Sequence, residues 1–146
     1  MKVYIMSGIS GSGKSYWLAF HANGPIVSRD TIRFSLLKPN DNYFDKENQV
    51  LKIYKENIEA LAKEGKDFYI DATHLTKKAR RKTIEIVKKY NPELICLYFE
   101  PNVDKAIYQD NLRTGRSHVT ESVIRKQLEC FEVPTIEEGF SKVISL

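Results

Sequence analysis

Gly8-Ile9-Ser10-Gly11-Ser12-Gly13-Lys14-Ser15 spells G-x-x-x-x-G-K-S, the phosphate-binding P-loop pattern. The chemistry it serves is the holding of a nucleoside triphosphate. Gly8, Gly11 and Gly13 let the chain turn tightly, so that the backbone N–H groups through Ser12 approach phosphate oxygens. A helix starting at the end of the loop adds the positive end of its dipole. In such a loop Lys14 reaches the β- and γ-phosphates of ATP, and the Ser15 hydroxyl ligates Mg²⁺.

Other residues could complete a site. Arg29-Asp30-x-x-Arg33 offers an acid able to take the proton of an attacking hydroxyl. If a helix begins at Asp30, with Asp30 as its N-cap, Arg33 lies about one turn on and can bind an anionic group of the phosphate acceptor. Asp71 ends an apolar run, as the Mg²⁺-associated acid of P-loop enzymes does. His74, close behind, is read as a hydrogen-bonded structural residue. Arg113-Thr114-Gly115-Arg116 has the flexibility and charge of a lid that closes over a nucleotide. The run Lys77-Lys78-Ala79-Arg80-Arg81-Lys82 reads as a solvated helix face that could also meet nucleic-acid phosphate.

These residues need a scaffold, and the hydrophobic pattern supplies one. Strands are expected at 2–7, 26–28, 68–71, 94–99 and 142–146. Helices are expected from the P-loop to about Ala22, as a short element after Arg29, from Asp45 to Glu64, from Thr76 to Asn91, from Asn102 to Arg113, and from Thr120 to Phe131. Val50, Ile53, Tyr54, Ile58 and Leu61 keep helical spacing within the longest of these. Asn23-Gly24-Pro25 and Gly65 are stop signals. Alternation of strand and helix predicts an α/β fold: a mostly parallel sheet of four or five strands, helices on both faces, and an arginine-bearing lid. Ligands of such sheets bind at the carboxyl ends of the strands, where the P-loop, Asp30 and Asp71 would meet.

Length and composition set limits. The chain has 146 residues, as expected for a single P-loop kinase domain spanning 1–146. Its 23 Lys and Arg against 19 Asp and Glu give a net charge of +4, which permits a polyanionic partner without requiring one. Cys96 and Cys130 form no metal-binding pair and fit a reducing compartment, so a cytoplasmic location is expected. No run is long and apolar enough for a membrane span, and no leader precedes the first strand. An AAA+ motor with its extra helical domain would need a longer chain. A GTPase would carry an N-K-x-D stretch, which is missing.

With these residues identified, the chain resembles the phage polynucleotide kinase family in its 5′-hydroxyl kinase domain, along with the wider group of small P-loop kinases. The resemblance covers nearly the whole chain. Gly8–Ser15 and Trp17 are similar to the family's G-x-P-G-S-G-K-S-x-W, with Ser10 in the place of Pro. Ser28-Arg29-Asp30-x-x-Arg33 is similar to its R-D-x-x-R, which implies Asp30 as general base toward the 5′-OH and Arg33 as a contact to the phosphate on the 3′ side. Asp71-Ala72-Thr73-His74-Leu75 and Arg80-Arg81 resemble D-x-T-N-L and its following arginines, with His74 replacing Asn. The family's lid arginine precedes Val-Pro. Here Val119 is followed by Thr120, and Arg113 and Arg116 compete for the lid role. Phe131-Glu132-x-Pro134 and Glu138-Gly139-Phe140 resemble the group's closing F-E-x-P…E-G-F.

The resemblance implies an ATP- and Mg²⁺-dependent kinase acting on 5′-OH ends of DNA or RNA. The chain ends without the phosphatase domain of the phage enzyme, so 5′ phosphorylation without 3′ trimming is expected. Two alternatives stay open: a kinase of a small nucleoside or sugar, and a partner protein that senses ATP without transferring phosphate.

Overall fold

A computed structural model describes residues 1–146. Five strands, β1 (Lys2–Ser7), β2 (Ile26–Ser28), β3 (Phe68–Asp71), β4 (Glu93–Tyr98) and β5 (Lys142–Ser145), form one sheet in the order β2-β3-β1-β4-β5. Every pairing is parallel, with Ile5 of central β1 between Ile70 of β3 and Cys96 of β4. The helices are α1 (Lys14–His21), α2 (Arg29–Leu36), α3 (Glu47–Glu64), α4 (Lys77–Val87), α5 (Val103–Asn111) and α6 (Glu121–Cys130). The expected elements are all present, with ends shifted by a few residues at most.

Strand periodicity decides what lies on each face. Val3, Ile5, Phe68, Ile70, Leu94 and Cys96 point to one side, where they pack with Tyr54, Ile58 and Ala62 of α3 and Ile84 and Val87 of α4. Met6, Tyr69, Ile95 and Leu97 point to the other and pack with Leu18 of α1. A third, small cluster of Ile9, Ala106 and Ile124 sets the P-loop against α5 and α6. α3 turns Val50, Tyr54, Ile58 and Ala62 fully inward, while Ile53 and Leu61 are only half-buried. Burial of Cys96 pushes its thiol up to about 12, so it stays a neutral core residue.

Two expectations are corrected. The N-cap of α2 is Ser28, whose hydroxyl accepts from Thr31 N at 3.2 Å; Asp30 lies in the first turn instead. The basic run of α4 is not uniformly solvated. Lys77, Lys78, Arg81 and Lys82 are exposed, but Arg80 is fully buried. It shares the inward stripe of Thr83, Ile84 and Val87, at helical spacing.

Arg80 is tolerated there because its donors are matched. Nε donates to Glu138 Oε1 at 2.7 Å, Nη2 to Glu138 Oε2 at 3.2 Å, and Nη1 to the His74 carbonyl at 2.8 Å. Glu138 is itself nearly buried and also accepts from Thr135 N at 2.8 Å. The closing E-G-F stretch thus clamps α4 through Glu138 and enters the main core through Phe140.

Removing one member of a buried ion pair strands the other charge, at a cost of about 3–5 kcal/mol. Glu138→Ala is therefore expected to destabilise the fold by about that amount, and Arg80→Met/Glu138→Leu to recover much of the loss. Urea denaturation of the two variants measures both.

Candidate active site

The carboxyl ends of β1, β2 and β3, with the segment between α5 and α6, enclose a cleft of about 780 Å³. The P-loop forms one wall. Gly11 and Gly13 take left-handed φ of 78° and 103°, and a Cβ on Gly11 would sit 2.5 Å from the Ala106 carbonyl oxygen. Only glycine fits at Gly11. The resulting turn leaves the N–H groups of Gly11, Gly13, Lys14 and Ser15 without a protein acceptor. A row of free N–H donors at a helix N-terminus is an anion cradle.

Lys14 turns its ammonium into this cradle, donating to the Gly8 and Ile9 carbonyls at 2.8 and 2.9 Å. Burial lowers its pKa to about 8, although Asp71 and Asp30 pull the other way. The Asp71 carboxyl is raised, mainly by burial, against the pull of Lys14. It forms no ion pair or side-chain hydrogen bond with the protein, and neither does the Ser15 hydroxyl. An acid and a hydroxyl left unpartnered beside an anion cradle fit a hard, oxygen-binding cation.

Asp30 and Arg33 do come together on one face of α2. Arg33 Nη1 donates to Asp30 Oδ1, and Tyr43 OH donates to the same oxygen at 2.6 Å. Burial, and then Asp30, hold the Tyr43 phenol above its ordinary range, so it remains a donor. Asp30 Oδ2 receives no protein bond. The surroundings of Arg33 differ from the sequence expectation. It is buried, at 4% exposure, and Glu47 on α3 takes Nε and Nη2 in a bidentate pair at 2.8–3.2 Å. Its fork is saturated by protein groups.

The lid segment separates Arg113 from Arg116. Both line the cleft. The charge of Arg113 reaches Lys14 and helps lower its pKa. Arg116 instead donates to the Lys38 carbonyl, across the cleft on the loop after α2. The base of the lid is fixed by Asp110, a buried acid that the motif reading missed. Its oxygens accept from Val119 N at 2.7 Å and Thr120 N at 2.9 Å. Thr120 takes φ 82° and ψ 155°, a region nearly reserved for glycine and closed to the proline of the resembling family. Gln127 of α6, also missed, holds the loop tip: Ser10 N donates to its Oε1 at 2.7 Å and its Nε2 donates to Ser10 Oγ at 3.1 Å.

His74 is structural, as expected. It has φ 44°, a conformation that Asn and His tolerate better than most residues. Nδ1–H donates to the Met6 carbonyl at 2.7 Å, leaving Nε2 to accept from Thr83 Oγ1 at 2.9 Å, with Tyr54 OH at 3.3 Å. Burial lowers its pKa to about 3, so the ring stays neutral.

An all-parallel β2-β3-β1-β4-β5 sheet with an anion cradle after β1 and an arginine-bearing segment over the cleft defines a P-loop kinase-like α/β domain. A family model described as "AAA domain" matches residues 3–134, and the chain belongs to that family. It is similar to the bifunctional polynucleotide phosphatase/kinase of Schizosaccharomyces pombe (strain 972 / ATCC 24843), with 26% identity over 147 residues, covering 97% of this chain and 32% of that protein. The chain thus spans about a third of the length of the curated relative it matches. Among solved structures, a gluconokinase from Sinorhizobium meliloti 1021 superposes with a TM-score of 0.63 at 18% identity, covering 99% of this chain and 81% of the other. The Pnkp1/Rnl/Hen1 complex gives a TM-score of 0.63 at 24% identity over 82% of this chain and 40% of the other. At these identities the superpositions establish the fold. No helix is long and apolar enough to cross a membrane.

Lys14 carries a pH signature. A phosphate group favours its charged form, so nucleotide binding raises the pKa from about 8 and takes up a proton. ADP affinity is expected to hold below about pH 8 and to fall as pH rises above it. Calorimetry at pH 8.5 in two buffers of different ionisation enthalpy should show proton uptake in the wild type and none from this site in Lys14→Met.

Proposed function

We propose that this domain transfers the γ-phosphate of ATP to a hydroxyl, and that the acceptor is the 5′-OH of a nucleic acid. The observation that carries the reading is the placement of Asp30 in the same cleft as the P-loop, with Oδ1 fixed by Arg33 and Tyr43 and Oδ2 open. An oriented carboxylate with one free oxygen can accept the proton of an attacking hydroxyl. Phe34, Tyr43 and Phe44 line the cleft beside it, with Tyr43 and Phe44 edge to face at 4.7 Å. Phe44 is largely exposed, as a ring that stacks on a nucleobase would be. The similarity to a polynucleotide phosphatase/kinase points the same way.

Each residue has a role in this reading. The N–H groups of the loop from Gly8 to Ser15 cradle the phosphates, and Lys14 leaves its two carbonyls to neutralise them. Ser15 and Asp71 would hold Mg²⁺, which when bound screens the phosphate charge. Asp30 takes the proton, and Arg33 and Tyr43 keep it oriented. Arg113, which lines the cleft and is held only by a 3.5 Å bond to the Ser117 carbonyl, is assigned to the transferred group. Arg116 braces the lid against the loop at Lys38. The protein positions and stabilises charge and forms no covalent intermediate.

The second reading is a small-molecule kinase, favoured by the gluconokinase superposition along nearly the whole chain. Salt separates the two. Use of a polynucleotide weakens steeply with salt, whereas use of a neutral small acceptor does not.

Asp30→Asn is expected to keep ADP affinity and lose about 10²–10⁴-fold in transfer to 5′-OH oligonucleotides, measured with γ-labelled ATP. Wild-type turnover by this variant would remove Asp30 as the base. Arg113→Ala should be slower than Arg116→Ala by about tenfold or more. Equal rates would remove the distinction between the two arginines.

A further inference from the structure

Asp110, near the end of α5, is almost fully buried, and no lysine or arginine pairs with it. Its oxygens accept from the N–H groups of Val119 and Thr120, on the return leg of the lid segment. Its third donor is a side chain. His118 Nδ1 lies 2.9 Å from Asp110 Oδ2 and 2.9 Å from the Asp110 carbonyl oxygen. A carboxylate and a carbonyl can only accept, so Nδ1 carries a hydrogen and the tautomer of the ring is fixed. Nε2 has no protein partner and is not buried.

His118 lines the same cleft as the P-loop. The next residue, Val119, packs against the cluster of Ile9, Ala106 and Ile124 that seats the loop, and α6 beyond it is bonded to the loop tip through Gln127. The ring therefore rides on the part of the lid that is tied to the phosphate cradle. Several elements bring charge to this cleft. Arg113 and Arg116 lie on the ring's own segment, Lys14 on α1 and Asp71 on β3. Across the cleft α2 carries Arg29, and α2 and α3 carry the closed Asp30–Arg33–Glu47 set. At the start of α6, Glu121 is already paired with Arg125 at 2.8 Å. Among these acids and Asp110, Asp110 alone is paired with the ring.

An imidazole held in this way can meet a ligand in two forms. In the neutral form Nε2 presents a lone pair, which a phosphate oxygen repels. With a second proton the ring donates on both sides, from Nδ1 to Asp110 and from Nε2 to a phosphate oxygen. An anion at each nitrogen favours the charged ring, so an arriving phosphate draws a proton from solvent onto Nε2. The charged ring also supplies Asp110 with the cation it otherwise lacks.

We propose that His118 is a proton-linked contact to the phosphates of a nucleotide held by the P-loop, with Asp110 as the residue that orients its ring. His118 has this role only if the cleft holds a nucleotide, as read above, and whichever hydroxyl receives the phosphate.

The test uses the full chain, ADP and Mg²⁺, with calorimetry at about pH 6 and about pH 7.5, on either side of the ordinary imidazole range. The variant is His118→Asn, whose amide can still donate to Asp110 but which lacks the ionisable nitrogen. Lys14 is common to both proteins, so its own pH dependence cancels in the comparison. Wild type is expected to bind ADP about fivefold or more tighter than His118→Asn at the lower pH, and within about twofold of it at the higher. A gap of equal size at both pH values marks a purely structural residue and overturns the assignment, as does no gap at either. The wild type alone supplies a second measurement. The NMR signals of the His118 ring are followed through pH with and without ADP, and their midpoint is expected to move to higher pH when ADP is bound. A midpoint that ADP leaves in place, or moves down, overturns the assignment, as does a wild type that binds no ADP. Transfer assays separate this role from the kinase reading. A pH-dependent gap in ADP affinity, with no transfer to any hydroxyl, retires the kinase and keeps His118 as the contact. Transfer to 5′-OH ends with no such gap keeps the kinase and retires His118.

Discussion

The site depends on how the chain leaves β3. At His74 the backbone enters the left-handed region, and the residue becomes a hub. Its carbonyl accepts from Ser7 Oγ at 2.9 Å and from Arg80 at 2.8 Å, and its ring bonds the Met6 carbonyl. One residue earlier, the Thr73 carbonyl accepts from Gly8 N at 2.9 Å. The end of β1, which becomes the P-loop, is thereby stitched to the end of β3, which carries Asp71. Both ring nitrogens of His74 are occupied, and a neutral ring is required for this pattern. The acid and the anion cradle hold their relative positions because a buried, uncharged histidine and a buried, paired arginine lie directly behind them. The C-terminal tail, through Glu138, pairs that arginine.

Charge is distributed unevenly over the cleft. At the P-loop, Lys14 and Asp71 are both pushed by burial toward their neutral forms, and each opposes that push on the other. That balance lets two desolvated groups sit beside an uncovered row of N–H donors. Around Asp30 the charges are already matched. Arg33, Asp30, Glu47 and Tyr43 form a closed network whose members lie on α2, α3 and the loop between them. A closed network of this kind keeps a carboxylate in one orientation without a ligand.

Much of this was legible in the sequence. The strands fell within a residue or two because β1, β3 and β4 are short β-prone runs bounded by turn signals. The P-loop announced itself by its glycines. The inward turn of Arg80 could have been read from its register with Thr83, Ile84 and Val87, had the run of basic residues not suggested a solvated face. Other features had no local signal. The pairing of Arg33 with Glu47 joins two helices across a loop, and nothing within either helix specifies it. Ser28 took the cap from Asp30 because two favoured capping residues lay two positions apart, and the end of β2 settled which one started the helix.

The lid shows how rigidity is divided. Its distal end is tied to α5 by Asp110, which holds the N–H groups of Val119 and Thr120, and Thr120 persists in a costly backbone conformation because those bonds over-determine it. α6, which follows, is bonded to the P-loop tip through Gln127 and packs Ile124 against Ile9. Residues 118–127 therefore belong mechanically to the phosphate cradle. The proximal part is held more lightly. Arg113 reaches only the Ser117 carbonyl, at 3.5 Å, and Gly115 takes a left-handed turn with nothing packed near its Cβ position. Residues 112–117 are thus the least-bonded stretch between α5 and α6, and Arg113 sits at its start.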